Sequence, residues 1–163
     1  MTGQQRLRYA YLGPAGTFSE AALRQVVSPE EAEYLPQADV VSAIEAVRRG
    51  EADRAVVAIE NSVEGGVTAV LDTLATGEPL VLLGEMLVPV SFVLAARAGT
   101  TLADVERISA HPHAWAQCRR WLRTNLPGIV HVPATSNTAP AALLAGTQEK
   151  LAFYAALIPP AAT

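Results

Sequence analysis

The chain has 163 residues, half of them hydrophobic and 17% charged, a balance that excludes a disordered polypeptide and suffices for one domain or two small lobes. Its 12 Lys and Arg are scattered among 16 Asp and Glu, for a net charge of −4, so the sequence lacks the basic footprint of a nucleic-acid or anionic-membrane partner. Cys118 is the single cysteine, which rules out an internal disulfide and suits a reducing compartment. The N-terminal stretch MTGQQRLRYAYLG is polar before its first apolar run and lacks the apolar core of a signal peptide. The most membrane-like stretch, Leu80 to Ala96, is interrupted by Glu85 and Pro89 and reads as a pair of buried strands broken near Pro89. A cytoplasmic protein is expected.

In chain order, Leu7 to Leu12 (LRYAYL) reads as a first strand. Thr17 and Glu20 then have capping-box spacing, so a helix is expected from about Phe18. A short extended piece near Tyr34 and Leu35 leads to Asp39, a good N-cap. Val40, Val41, Ile44 and Val47 share one face of the next helix, and Gly50 is placed to end it. Arg54 to Ile59 (RAVVAI) is a continuous apolar run, the pattern of a strand buried on both faces. After Gly65-Gly66 a short helix closes at Gly77. Beyond the Leu80 to Ala96 segment, Thr101 to Val105 reads as one helical turn and Arg107 to Ala110 as a strand. Pro112 suits a first helical turn, with Trp115, Cys118, Leu122 and Leu126 as the apolar face. Trp121 lies off that face, as a surface or interface residue. IVHV is a strand, Thr135 or Ser136 can cap the helix TAPAALLAG, and KLAFYAALI is a last strand. The alternation of strands and helices places the chain in the α/β class.

Three loops follow strand ends and precede helix starts: Gly13 to Phe18, Glu60 to Thr68, and Thr135 to Thr138. In open α/β sheets ligands bind beyond the carboxyl ends of strands, where helix N-termini offer unpaired amides to carboxylates or phosphates. None of the three loops contains Lys or Arg. Capped helices with glycine turns would give the same pattern singly; Glu60 and Asn61 at the end of an apolar strand favour a site. Glu60 reads either as a solvated cap or ion-pair partner, or as a general acid or hydrogen-bond partner for a substrate hydroxyl. The second role needs burial or neighbouring negative charge to favour its protonated form. GPAGTF has too few glycines for a dinucleotide fingerprint and lacks the Gly-Lys-Ser/Thr of a phosphate loop. His111 and His113 flank Pro112 without a third ligand nearby, a poor zinc site. Cys118, on an apolar face without a base beside it, reads as packing rather than as a nucleophile.

Taken together, AYLGPAGTFSEAAL, VVAIENSVEGGVTAVLDTL and AHPHAWAQCRRWL resemble the catalytic domain of prephenate dehydratase, from about Arg8 to Ala162. The resemblance implies a two-lobed α/β fold of the type II periplasmic-binding-protein-like kind, with the active site in the interlobe cleft. Lobe one would take residues 1–78, and residues 79–163 would form lobe two and the start of a return to lobe one. It implies decarboxylative dehydration of prephenate to phenylpyruvate, for L-phenylalanine biosynthesis, without cofactor or metal. The catalytic residues it implies are Glu60, Asn61 and Gln117. The substrate-binding positions it implies are Gly16, Thr17, Phe18, Ser62, Gly65, Gly66, His111, Ser136 and Thr138. A homo-oligomer, dimer or tetramer, is implied for the full-length enzyme.

Two departures from the family pattern stand out. Ala110 occupies the place before His-Pro where many relatives carry serine, with Ser109 one place earlier. The family's Thr-Arg-Phe motif and its phenylalanine-binding ACT domain fall beyond Thr163, so the chain reads as a truncated catalytic domain of weak or no activity, with an uncovered sheet edge in lobe one. Arogenate dehydratase, whose substrate differs by a side-chain amino group, and a non-catalytic cytoplasmic module binding a small anion are the alternative readings.

Overall fold

The computed structural model describes residues 6–63, 65–146 and 152–160. It divides into two compact units, Met1–Pro89 and Val90–Thr163. Each is an α/β assembly with its own sheet and core.

In the first unit, β1 (Leu7–Leu12) lies between β2 (Ala32–Gln37) and β3 (Arg54–Val56), all three parallel. Side chains alternate across a strand, and β1 is buried on both faces for that reason. Tyr9 and Tyr11 join Ala22 and Leu23 of α1 (Phe18–Leu23) in one cluster, while Ala10 joins Ala43 and Ala46 of α2 (Val40–Arg48) in another. Three alanines at that second contact let helix and sheet approach closely. Asp39 caps α2 as expected, its Oδ1 accepting from the Ser42 amide at 2.7 Å.

A hairpin follows, built from β4 (Glu60–Asn61) and β5 (Gly65–Gly66), and then α3 (Thr68–Thr76). Arg48, at the end of α2, clamps the end of α3. Its side chain is 8% exposed and ion-paired with Glu45 at 2.6 Å. It also donates to the carbonyls of Thr73 at 2.9 Å and Glu78 at 3.0 Å. The guanidinium lies where a Cβ on Gly77 would be; only a residue without a side chain fits beneath it.

Two expectations need correction here. The strand expected over Arg54 to Ile59 stops at Val56. Its partner β1 ends at Leu12, one residue past the partner of Val56, so Val57 to Ile59 have almost nothing left to pair with, and Ile59 is 48% exposed. Nor does Leu80 to Ala96 form two buried strands. Residues 79–92 contain no helix or strand, and only β6 (Val93–Ala96) is regular. Met86 and Val88 pack against the tyrosine cluster, while Val81, Leu82, Leu83 and Leu87 face outward, Leu87 at 91% exposure. Hydrophobicity there is not matched by a strand to pair with. Among the described residues β3 has β1 as its sole neighbour and forms an open edge of its sheet.

In the second unit the sheet order is β6, β9 (Ala155–Ile158), β7 (Arg107–Ala110), β8 (Val130–Pro133). β9 runs antiparallel to β6 and parallel to β7, and every residue of it is buried. Ala155 and Leu157 pack with Ala114 and Leu122 of α4 (Pro112–Asn125). Ala156 and Ile158 take the opposite face with Phe153, against Ala141 and Leu144 of α5 (Ala139–Gly146). The expected turn near Thr101 is a 3-10 turn, Leu102–Asp104, with a full capping box from Thr101 and Asp104. The last strand was expected to begin at Lys150; Lys150 and Leu151 lie outside the described residues.

Candidate active site

The candidate residues gather at the carboxyl edges of the two sheets. In the first unit β1 and β3 are parallel, with Tyr11 opposite Val56, so the loops that leave them emerge from the same edge. Gly13 starts the first loop because the chain is tight there: a Cβ would stand 2.7 Å from that of Pro36, and the Gly13 amide donates to Gln37 O at 2.9 Å. Gly16 turns with φ +82°, a conformation that costs glycine nothing. Thr17 is the N-cap of α1, and its Oγ1 both accepts from the Glu20 amide at 3.3 Å and donates to Leu12 O at 3.0 Å. Phe18, the first residue of α1, is half-buried.

The second loop is the β4–β5 hairpin. Glu60 pairs with Gly66 and Asn61 with Gly65, so four of the expected residues meet in one two-rung ladder, with Ser62 at its tip. Asn61 Oδ1 accepts from the Val63 amide at 2.9 Å, an Asx turn that fixes the tip. Gly65 supplies the φ of +81° that closes it. The Val67 amide bonds back to Ile59 O at 2.9 Å, seating the hairpin against the start of α3, whose N-cap Val67 provides no side-chain acceptor. Glu60 was expected at a buried strand end. It is instead exposed, because the sheet strand has already stopped at Val56.

In the second unit β7 and β8 are parallel, with Ala110 opposite Pro133, and the Ala134 amide reaches Ala110 O at 3.0 Å. The loops carrying His111 and Ser136 are therefore neighbours. His111 is the N-cap of α4, its Nδ1 accepting from the His113 amide at 3.3 Å, with the two rings edge to face at 4.8 Å. Gln117 follows one turn later and is half-buried. Beneath them, Trp115 stacks on His131 at 4.4 Å and 8°, and His131 Nε2 lies 2.8 Å from Ala110 O. That stack pins the end of β7 to α4. Ser136 Oγ accepts from the Ala139 amide at 3.0 Å, but α5 begins at Ala139 and the Thr138 carbonyl takes its first amides, so Thr138, rather than the expected Thr135 or Ser136, stands at the N-cap position. Trp115 packs against the core and Trp121 is exposed, as read from their spacing. Burial pushes the Cys118 thiol up from its ordinary value, which favours the thiol over the nucleophilic thiolate.

Reasoning from sequence missed one feature of the last loop. Thr138 is 8% exposed, and its Oγ1 and the Oδ1 of neighbouring Asn137 are buried without a hydrogen-bond partner among the described residues. Buried oxygens of this kind are costly unless water or a ligand satisfies them. Nothing in TSNT distinguishes Asn137 from an ordinary turn residue. No group of three or more His, Cys, Asp or Glu among the described residues is arranged to hold a metal ion, and none of the described helices is long and apolar enough to cross a membrane.

Comparison with known proteins bears on this arrangement. The family model for prephenate dehydratase matches residues 9–162. A curated prephenate dehydratase from Amycolatopsis methanolica is 45% identical over 155 residues, covering 95% of this chain and 49% of the relative. The crystal structure of prephenate dehydratase from Arthrobacter aurescens in complex with L-Phe is 51% identical with a TM-score of 0.85, over 94% of this chain and 50% of that one. GqqA, described as a novel type of quorum quenching acylase, is 29% identical with a TM-score of 0.69, over 95% of this chain and 54% of that one. The chain thus spans about half the length of the curated relatives it matches. Its α/β fold is the two-lobed, type II periplasmic-binding-protein-like one of these relatives. A match running nearly end to end, over the segments that carry all four loops, shows that the chain belongs to the prephenate dehydratase family.

Proposed function

We propose that the chain forms the prephenate-binding part of a cytoplasmic prephenate dehydratase, a carbon–oxygen hydro-lyase that makes phenylpyruvate for L-phenylalanine biosynthesis. Membership of the family over residues 9–162 is the observation that carries this reading. In the reaction the bond to the ring carboxylate breaks and CO2 leaves. Its electron pair aromatises the ring, and the ring hydroxyl departs, taking a proton to become water. Aromatisation drives the step, so it calls for no electron carrier or Lewis acid. The protein's task is to orient the ring carboxylate and assist the hydroxyl, and a positioned proton donor is worth about 10²–10⁴-fold.

In this reading Asn61 and Gln117 hydrogen-bond the substrate and Glu60 polarises the leaving hydroxyl or organises its loop. Gly65 and Gly66 let the hairpin backbone come close to the ligand, with Ser62 at the tip. Gly16, Thr17 and Phe18 form the wall beside it. His111, Ser136 and Thr138 lie on the neighbouring loops of the second unit. Lobes divided near residue 78 and a homo-oligomer belong to the same proposal.

Titration calorimetry with prephenate, together with phenylpyruvate release at neutral pH, tests the reading. Saturable binding is expected, weakened by about 10- to 100-fold in Asn61→Ala or Gln117→Ala, the range for losing a hydrogen bond to a charged group of about 1.5–3 kcal/mol. The absence of both binding and product formation would refute it.

A further inference from the structure

Glu20 is a buried carboxylate to which the reaction gives no part. It is 6% exposed, on the first turn of α1. Oε2 accepts from the Gly16 amide at 2.6 Å, and Oε1 accepts from Arg24 Nε at 3.0 Å and Nη2 at 2.6 Å. In an ordinary capping box the glutamate returns to the amide of the N-cap residue itself; here the Glu20 carboxylate takes the Gly16 amide, one residue earlier. The amide it takes belongs to the residue with φ +82°, so the bond fixes the one turn that decides where Thr17 and Phe18 point. Arg24 supplies the compensating charge from outside, its side chain 55% exposed. Its guanidinium lies 5.8 Å from the ring of Tyr34, itself edge to face with buried Tyr11 at 6.0 Å. Beside the carboxylate, burial and then the Glu20 charge raise the Tyr11 phenol above its ordinary value.

We infer that Glu20 is a positioning residue: its carboxylate latches the Gly16 turn, so that this loop meets the substrate as a preformed wall. The inference rests on the dehydratase reading for the identity of the substrate. It reassigns the loop's chemistry. The Gly16 amide already holds a carboxylate from within the chain, and the Thr17 hydroxyl already donates to Leu12 O. The contribution of the loop is then its shape and the side chain of Phe18, with the substrate's carboxylates held elsewhere.

The test uses the 163-residue chain with Glu20→Ala, Glu20→Gln and Arg24→Ala. It reads prephenate affinity and stoichiometry by calorimetry, and exchange of the Gly16 amide by NMR. Glu20→Ala should weaken prephenate binding about tenfold at unchanged stoichiometry. It should also speed Gly16 exchange at least tenfold, with the amides of β1 unaffected. A merely structural defect would instead lower the stoichiometry and loosen β1 as well. Glu20→Gln keeps an acceptor for Gly16 and should restore most of the affinity, and Arg24→Ala should leave Gly16 protected. Unchanged Gly16 exchange in Glu20→Ala overturns the latch, and faster exchange with unchanged affinity overturns its role in positioning. If the unaltered chain does not bind prephenate, the dehydratase reading fails, and Gly16 exchange alone then decides whether the latch exists.

Discussion

Arg48 and Gly77 offer a perturbation whose size follows from geometry. Arg48→Ala removes three hydrogen bonds made by a nearly buried guanidinium to Glu45, Thr73 O and Glu78 O. A charge-assisted bond is worth about 1.5–3 kcal/mol, but Glu45 and the two carbonyls regain water, so a net loss of about 3 kcal/mol is expected. Gly77→Ala should cost about 2–3 kcal/mol for a related reason: the new methyl displaces the guanidinium and forfeits most of the same bonds. The backbone is not the obstacle, since Gly77 sits at φ −106° and ψ −172°, where alanine is unstrained. With Arg48 already truncated, Gly77→Ala should therefore stabilise slightly, by about 0.4–1 kcal/mol through the unfolded chain. The double variant is then more stable than additivity predicts by about 2–4 kcal/mol. Native-state hydrogen exchange of the α2 and α3 amides measures all four corners of the cycle. Equal costs for Gly77→Ala with and without Arg48 would refute the close approach as the reason for glycine at this place.

Three further outcomes are expected. Asp39 is held below its ordinary value by the Ser42 amide first and then the Ser42 hydroxyl. Its stabilising effect is complete above the unfolded-state value near 3.9 and is lost as pH falls through the lower folded value. Protection of α2 amides should fall from pH 5 towards pH 2, and Asp39→Ala should flatten that dependence. Cys118 should react with a disulfide reagent at pH 8 at least tenfold more slowly in the folded chain than in urea, because burial disfavours its thiolate; equal rates would contradict its packing. Leu82→Lys with Leu87→Lys should reduce binding of a hydrophobic dye and sedimentation-detected self-association, since 74% and 91% exposure makes both residues part of an adhesive surface.

What could be read from the sequence was mostly local. Asp39 before an apolar periodic run and Pro112 at a helix start each carry their own local logic, and each stands where expected. The run Val57 to Ile59 and the stretch Leu80 to Phe92 were misjudged for a common reason. Apolar composition reports a demand for burial, but whether a strand forms depends on a partner supplied from elsewhere in the chain. Likewise the spacing of Thr17 and Glu20 signalled a capping box, yet only geometry shows the carboxylate reaching Gly16. The hairpin residues Glu60, Asn61, Gly65 and Gly66 were legible as a cluster because the glycines announce a turn. The exposure of Glu60 was not, since it depends on where β3 parts from β1. Asn137 left no trace at all.

The position of β9 has a consequence for how the molecule assembles. It is the last of the described strands yet lies inside its sheet, flanked by β6 and β7. During synthesis Val93 must wait for Ile158 before either gains its neighbour, so the second unit completes its sheet only after the whole of residues 93–158 has been made. The first unit needs nothing beyond Val56 for its three-stranded sheet. Long-range pairing of this sort slows acquisition of structure and prolongs the life of sticky intermediates. A nascent chain halted before Ala155 should therefore carry a formed N-terminal unit trailed by a segment that chaperones or proteases can seize.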